Sequence, residues 1–583
     1  MLHTLSRSLR ENKGPALVTV LLSALEVVFE IVIPLFMSNL IDFGIEGGSM
    51  AAVWKFGAFL LLLAAFQLAT GVLAARIAAR ASVGFGANLR EDMYNNVQTF
   101  AFSNIDKFST ASIVTRLTTD VTNVQNAFQM LMRMAIRSPV MLVFSMIVSF
   151  RISRDISMTF LIILPILAVA LFFIIRSVFP IFTRVFRTYD ELNNVVQENV
   201  RGIRVVKSFN QEQHEIRKFG AISERIYKDF SKGERLITLN APLMQSCIYA
   251  CMIIISWLGA KAIIASGNDP ALGLTTGNLT ALITYAMQIL SSLMMLSMVF
   301  AMLTISLSSA RRIAEVLEER SDIPQPEQPV MTVRDGAVDF DHVSFVYASK
   351  ADKKVLDDID LHIRSGETVG VIGGTGASKS SLVQLIPRLY DVTGGKLTLG
   401  GVDVRDYDLD TLRGAVAMVL QKNELFSGTI AENLRWGNEN ATDEQLRHAC
   451  KLACADEFIS AMPDGYDTHI EQGGTNVSGG QKQRLCIARA LLKKPKVLIL
   501  DDSTSAVDTR TDAQIQQALS AYIPDTTKII IAQRISSVQN ADRIVVLDDG
   551  HIDAVGCHDE LLRTCEIYRE VYESQQKGGE DDA

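Results

Sequence analysis

Long stretches without a charged residue constrain this chain more than any other feature of its sequence. Four of them lie at residues 56–75, 156–175, 236–260 and 270–310. Each has at least the roughly 20 residues that a helix needs to cross the hydrocarbon of a bilayer. Two weaker spans, which contain charged residues, lie at residues 16–41 and 135–150. The pattern predicts an all-α membrane domain of six transmembrane helices.

The connections between these spans differ in charge. Those after the second and fourth spans are rich in Arg and Lys, whereas those near residues 42–52 and 266–277 contain neither. Because cytoplasmic loops carry the excess of basic residues, both termini and the two long loops are predicted to be cytoplasmic in a plasma membrane. Each long loop has about 60 residues with helical patterning and almost no Pro or Gly. We expect long helical extensions there rather than small soluble domains, since no strand-like alternation is present.

The composition fits a membrane part joined to a soluble part. The mean hydropathy is +0.22, yet 21% of the residues are charged. The net charge of -8 gives no support to nucleic-acid binding. The seven cysteines are odd in number and show no Cys-x-x-Cys spacing, which argues against a disulfide framework or a zinc site.

A glycine-rich turn between a predicted strand and a predicted helix, "VGVIGGTGASKSSL", is nearly the phosphate-binding loop G-x-x-x-x-G-K-[ST]. Such a loop wraps phosphates in backbone N–H groups, and its lysine and hydroxyl serve the phosphate oxygens and Mg²⁺. The glycine expected before the lysine is Ser378, where a positive φ would cost roughly 1–2 kcal/mol. The residues predicted to bind ATP here are Gly373, Gly374, Thr375, Gly376, Ala377, Ser378, Lys379, Ser380 and Ser381.

Further along, "KVLILDDSTSAVD" sets an apolar run before two aspartates. The run is typical of a buried strand in a parallel sheet. A carboxylate at the end of such a strand is where α/β folds hold Mg²⁺ against a nucleotide. We therefore predict that Asp501, together with Ser380, binds the metal. Asp502 is then the candidate for activating water.

The segment "NVSGGQKQRLCIARAL" begins about 100 residues after the phosphate loop, ahead of the aspartate strand. With these motifs in this order, the chain resembles a half-transporter of the ATP-binding cassette (ABC) superfamily, of the exporter type. It most resembles the degenerate-site subunit of heterodimeric bacterial multidrug exporters. The resemblance implies a six-helix membrane domain with long cytoplasmic extensions, then an α/β P-loop cassette. The expected domains are a membrane domain at residues 1–320, a linker at 321–335, the cassette at 336–575 and an acidic flexible tail at 576–583.

The resemblance also assigns roles by position. Tyr347 would stack on adenine, although a strand aromatic packing on the core is the alternative. Gln421 would contact Mg²⁺ and sense the membrane domain, and Asp508 would end the D-loop at residues 505–508. Coupling helices would lie near residues 110–114 and 203–209. The signature residues, which would act on a partner's ATP, are Ser478, Gly479, Gly480 and Gln481.

Two positions depart from the family's hydrolytic members. Asp502 stands where they place a glutamate, and Gln533 stands where they place a switch histidine. Aspartate is one methylene shorter, and glutamine cannot shuttle a proton near neutral pH. With Ser378, these changes imply that the chain's own site binds ATP but hydrolyses it poorly. Its signature would then complete the site of a different half-transporter that supplies the glutamate.

Two acidic residues, Glu26 and Glu30, lie four apart within the first span. Ionisable groups at membrane depth usually face a cavity or a partner. They would line a path for a cationic or amphipathic substrate, or form an interfacial or interhelical pair. Both interpretations stay open from the sequence.

The predicted function is ATP-driven export of amphipathic or drug-like compounds, with peptides or lipids as further candidates. Two alternatives stay open. One is an ATP-gated channel or regulatory membrane protein, and the other is a slow homodimeric exporter. The Met-rich sixth span suits apolar cargo, but packing against lipid explains it equally well.

Overall fold

The structure is a computed structural model that describes residues 1–269, 273–347, 354–374, 376–503 and 507–580. It divides into two compact units. The first contains Met1–Gln98 and Thr110–Glu319, and the second contains Thr99–Ser109 and Arg320–Ala583. The short segment Thr99–Ser109 therefore groups with the second unit, although we expected all of residues 1–320 to form the membrane domain.

The first unit is helical throughout its described residues. A π-helical turn at Leu40–Glu46 ends the first long helical stretch, and two more, at Arg116–Asp120 and Leu131–Ala135, interrupt the stretch Thr110–Ile152. Its α-helices are α1 Leu2–Arg7, α2 Lys13–Asn39, α3 Met50–Gln98, α5 Thr110–Thr115, α6 Val121–Met130, α7 Ile136–Ile152, α8 Arg154–Arg201, α9 Ile203–Ser208, α10 Glu212–Thr238, α11 Asn240–Ser266 and α12 Thr276–Glu318.

Within the described residues, six helical stretches are long and apolar enough to cross a membrane. They are Arg10–Glu46, Met50–Gln98, Thr110–Ile152, Arg154–Arg201, Glu212–Ser266 and Thr276–Glu318. The prediction of six transmembrane helices is confirmed, and the chain is a multi-pass membrane protein. Helices α3 and α8 have 49 and 48 residues, more than twice the roughly 20 that hydrocarbon requires. The predicted long helical extensions are therefore present.

The second unit is an α/β domain whose strands form a six-stranded sheet, a four-stranded antiparallel sheet and a two-stranded pair. The strands are β1 Val338–Phe345, β2 Leu356–Ile363, β3 Thr368–Gly373, β4 Gly394–Leu399, β5 Val402–Asp403, β6 Val416–Val419, β7 Gly428–Thr429, β8 His469–Ile470, β9 Val497–Asp501, β10 Thr527–Ile531, β11 Arg543–Asp548 and β12 His551–Gly556.

The helices of the second unit begin with α4, which comes from the segment that interrupts the first unit. They are α4 Phe102–Phe108, α13 Lys379–Gln384, α14 Leu409–Ala415, α15 Ile430–Arg435, α16 Asp443–Leu452, α17 Asp456–Ser460, α18 Gly479–Leu492, α19 Thr509–Tyr522, α20 His558–Thr564 and α21 Glu566–Glu580. Residues 576–580 of the expected flexible tail are therefore helical, and the rest of that tail lies outside the described residues.

The order of the six-stranded sheet positions the candidate site. The strands run β12-β11-β3-β10-β9-β6, and all but β12 pair in parallel. Every residue of β9 is buried, as the apolar run predicts. Because the carboxyl ends of parallel strands meet at one edge, the segments after β3, β10, β9 and β6 converge there. These segments carry the phosphate loop, the switch position, the two aspartates and Gln421.

Candidate nucleotide site

The phosphate loop begins where β3 ends, and its backbone explains two of its glycines, Gly373 and Gly376. A Cβ at Gly373 would lie 2.2 Å from the Leu547 carbonyl oxygen, and Gly376 has a φ of +90°. Ser378 has φ 66° and ψ 19° in the left-handed region, so the cost of roughly 1–2 kcal/mol for a Cβ applies to it. Thr375 lies outside the described residues.

The side chains of Lys379 and Ser380, which follow, lie at the same edge of the sheet. The ammonium of Lys379 donates to the carbonyl oxygens of Gly373 and Gly374, at 2.8 and 2.9 Å. Burial lowers the pKa of Lys379, against the opposing effect of the two nearby aspartates. Ser380 Oγ donates to Asp501 Oδ1 at 3.0 Å. This hydroxyl and carboxylate form an oxygen donor set that fits a magnesium ion.

Asp501 itself is buried, and this burial raises the pKa of its carboxyl group. The hydrogen bond from Ser380 lowers that pKa, and the neighbouring charge of Asp502 raises it. A buried carboxylate whose ionised form is disfavoured gains from a cation, because the cation restores the balance of charge. The electrostatics of this position therefore suit a metal ligand.

Asp502 is engaged in a different way. It is 8% exposed, has a φ of 49°, and its N–H donates to the Ile531 carbonyl oxygen at 2.9 Å. Its Oδ2 accepts from Gln421 Nε2 at 3.2 Å and from Gln533 Nε2 at 2.8 Å. The glutamines at the predicted Q-loop and switch positions thus both donate to this acid.

Tyr347 follows β1 and lies beside the phosphate loop. Its hydroxyl is 2.7 Å from Ser381 Oγ. Its ring packs edge-on against Phe345 and Tyr390, with centroids 4.8 and 5.1 Å away, and the residue remains 44% exposed. The ring contacts fit the packing alternative, and adenine stacking stays a prediction.

The signature residues form the start of α18. Ser478 Oγ accepts from the Gln481 N–H at 3.3 Å, and Gln481 Oε1 accepts from the Ser478 N–H at 2.9 Å. This reciprocal capping box satisfies two donors of the first turn. Ser478 and Gly479 are exposed. The helix N-terminus, with its partial positive charge, is therefore presented at the surface of this unit.

The D-loop ends at the cap of a helix. Asp508 caps α19 by accepting from the Thr511 N–H at 2.9 Å, and this bond lowers the pKa of Asp508. Residues 505–506 lie outside the described residues.

In the second unit, Tyr390 donates its hydroxyl proton to Asp106 of α4 at 2.9 Å, whereas the expected segment 110–114 belongs to the first unit. The second expected segment forms the short helix α9.

The two acids of the first span are paired. Arg137 of α7 donates to Glu26 at 2.9 Å and to Glu30 at 2.7 Å. This geometry is the one that the interhelical alternative expects, since one guanidinium bridges both carboxylates. A role in lining a substrate path stays a prediction.

Sequence reasoning missed Gln575, whose amide contacts the backbone at the switch position, Gln533, and at Ile535. It belongs to no motif, and a lone glutamine on a C-terminal amphipathic helix carries no local signal. Its neighbourhood becomes visible only once α21 is packed against the domain.

Six transmembrane helices followed by a phosphate-loop α/β domain define an ATP-dependent membrane transporter. Two family models match the chain: "ABC transporter transmembrane region" at residues 16–294 and "ABC transporter" at residues 356–505. The chain belongs to the ABC transporter family. The nucleotide-binding domain of this family binds ATP.

Relatives align over most of their lengths. The uncharacterized ABC transporter ATP-binding protein YfiB of Bacillus subtilis is 35% identical over 96% of this chain and 96% of its own. The ATP-dependent lipid A-core flippase of Desulfotalea psychrophila is 31% identical over 80% of each chain. A bacterial Atm1-family ABC exporter, solved with ATP bound, superposes with a TM-score of 0.80 at 24% identity, covering 97% of this chain and 98% of its own. This last likeness shows a shared fold.

Proposed function

We propose that this chain is one subunit of an ATP-driven heterodimeric exporter, and that its own nucleotide site binds ATP but hydrolyses it slowly. The observation that carries this proposal is the state of Asp502. The acid at the water-activating position is short, buried and bonded through one oxygen to two glutamine amides.

A general base must come within hydrogen-bond reach of the proton that it removes. A misplacement of about 1 Å can cost roughly 100-fold in rate, and aspartate reaches less far than glutamate. Gln533 can donate to a γ-phosphate oxygen but cannot accept and return a proton. ATP held on Lys379 and the backbone of the phosphate loop would therefore persist, rather than turn over.

Magnesium is part of this proposal. Ser380 and Asp501 would hold the ion, with Gln421 nearby, and when bound it would neutralise charge on the phosphate oxygens. The residues of this chain then bind and orient the nucleotide. None of them supplies an efficient base.

The signature half of the domain has a different task. Its capped and exposed helix start would cover ATP on the phosphate loop of a second, different half-transporter that carries a glutamate after its metal aspartate. A helix N-terminus favours an anion, so it would stabilise the charge that develops on the transferred phosphoryl group. Hydrolysis would then occur at the partner's phosphate loop, completed by Ser478, Gly479, Gly480 and Gln481 of this chain.

We propose export of amphipathic or drug-like compounds, lipids and peptides included, across a plasma membrane whose cytoplasmic side holds both termini and the nucleotide domain. The loop charges support this orientation. The relative named as a lipid A-core flippase supports amphipathic cargo. Glu26 and Glu30 would face such cargo only if Arg137 moved away from them during transport.

The test is ATP hydrolysis by the purified full-length chain, alone and co-purified with its genomic neighbour. We expect little turnover alone and substrate-stimulated turnover in the complex. Changing the partner's glutamate to glutamine should abolish that turnover. Rapid hydrolysis by the wild-type chain alone would refute the asymmetric assignment and favour a homodimer. Failure of the complex to move a dye uphill into vesicles would favour a channel or sensor.

A further inference from the structure

The switch segment, residues 533–537 after β10, is bound by a side chain that belongs to none of the nucleotide motifs. Gln575 Nε2 donates to the Gln533 carbonyl oxygen at 2.7 Å, and Gln575 Oε1 accepts from the Ile535 N–H at 3.0 Å. A single amide thus bonds to the backbone on both sides of residue 534. Its two bonds fix the direction in which the Gln533 side chain leaves the main chain.

The helix that carries Gln575 is itself firmly docked. Tyr568 of α21 is fully buried in the hydrophobic core of the domain, and its hydroxyl lies 2.8 Å from His558 Nδ1. Val571 and Tyr572 pack partly buried against the same core. The backbone at residue 575 therefore has a fixed position from which its amide can act.

The far end of the switch segment has a second attachment. Ser537 Oγ donates to Asp512 Oδ2 at 2.6 Å, and both residues are buried. Asp512 lies in the first turn of α19, the helix that Asp508 caps. The switch segment is thus tied to the C-terminal helix at one end and to the D-loop helix at the other.

We propose that Gln575 is a positioning residue that keeps the Gln533 amide in contact with Asp502, and so prolongs the residence of ATP at this site. The inference rests on the proposed function, in which this site retains nucleotide. While the two hydrogen bonds of Gln575 are in place, Gln533 Nε2 stays 2.8 Å from Asp502 Oδ2. Without these bonds, the backbone at residues 533–535 gains conformers in which the side chain leaves both the acid and the γ-phosphate position.

Gln575 is exposed, so replacing its amide removes no core packing. This separates a positioning role from a structural one. The neighbouring Gln576 provides a matched control, because it is also an exposed glutamine amide on α21, but it donates to the Tyr572 hydroxyl instead, at 2.9 Å.

The experiment measures dissociation of a fluorescent ATP analogue with Mg²⁺ from the purified full-length chain, chased with excess ATP. We expect Gln575→Leu to speed release about tenfold, the size of one or two net hydrogen bonds. Gln576→Leu should release at the wild-type rate. Gln575→Glu keeps the acceptor for the Ile535 N–H but loses the donor to Gln533, and should give an intermediate rate.

A double-mutant cycle decides whether Gln575 acts through Gln533. In a Gln533→Ala background, Gln575→Leu should cause no further increase in release. An undiminished increase in that background, or wild-type release by Gln575→Leu alone, would overturn the proposal. Rapid steady-state hydrolysis by the wild-type chain would refute the proposed function instead. In that case, a positioning role for Gln575 predicts that Gln575→Leu lowers kcat at constant KM.

Discussion

Two regions of the second unit, to which the proposed function assigns contact with nucleotide, differ in how their polar groups are used. At the start of α18, Ser478 and Gln481 satisfy each other, so the helix N-terminus is left at the surface. At the carboxyl ends of the parallel strands, the amides of Gln421 and Gln533 converge on one oxygen of Asp502. The first arrangement leaves a binding surface presented outward, whereas the second occupies the acid that would activate water.

Under the proposed function, the phosphate side of this domain retains ATP, and the signature side completes hydrolysis at a partner's site. The capping box at the start of α18 forms within this chain and does not depend on ATP. An acid that already accepts hydrogen bonds from two amides is held in one orientation. The comparison therefore predicts that mutations in the two regions have unequal effects on turnover.

The largest effect should come from the signature. Gly479→Asp places a carboxylate in the first turn of α18, where the helix tolerates it well but a partner's γ-phosphate is repelled. We expect turnover of the co-purified complex to fall about 100-fold or more. The steady-state ATPase rate measures this. Gly479→Ser, small and neutral, should retain most activity, and equal losses from both variants would contradict the electrostatic reason.

The second prediction restores the missing chemistry on the phosphate side. Asp502→Glu combined with Gln533→His should raise ATP hydrolysis by the isolated chain by about tenfold or more, since both the reach of the base and the proton shuttle are supplied. Asp502→Glu alone should raise it little, because Gln533 remains. A single-turnover phosphate-release assay measures both. Full activity from the single variant would show that the shorter acid alone limits this site.

The third prediction separates the two aspartates. Asp501→Asn should weaken retention of the fluorescent ATP analogue about tenfold in Mg²⁺, because it removes a negatively charged ligand of the ion. Chelating Mg²⁺ should lower retention of the analogue by the wild-type chain to the level of Asp501→Asn. Asp502→Asn keeps the size of the side chain at the neighbouring position and should change retention less. Equal losses of retention from the two variants would show that Asp501 and Asp502 do not have separate roles.

The smallest effect concerns the loop itself. Ser378→Gly removes a Cβ from a residue at φ 66° and should stabilise the second unit by about 1 kcal/mol. Thermal unfolding of the full-length chain, followed in this domain, measures the change. Ser378→Ala keeps the Cβ and should leave the midpoint at or below the wild-type value, which separates backbone strain from loss of the hydroxyl.

Much of the fold followed from local pattern. The uncharged runs predicted six spans, and the apolar run before Asp501 predicted a buried parallel strand. The mismatch at Ser378 pointed to a strained backbone position. These features are readable because membrane insertion, strand burial and turn geometry each depend on a short stretch of neighbouring residues.

The sequence by itself determined the membrane architecture, the nucleotide motifs and their order. Only the tertiary structure decided that Gln421 and Gln533 share one oxygen of Asp502, that α4 groups with the second unit, and that Arg137 bridges Glu26 and Glu30. It also decided that Gln575 reaches the switch segment. The physical reason is distance along the chain: a hydrogen bond depends on tenths of an ångström between atoms, and packing of remote elements alone sets those separations.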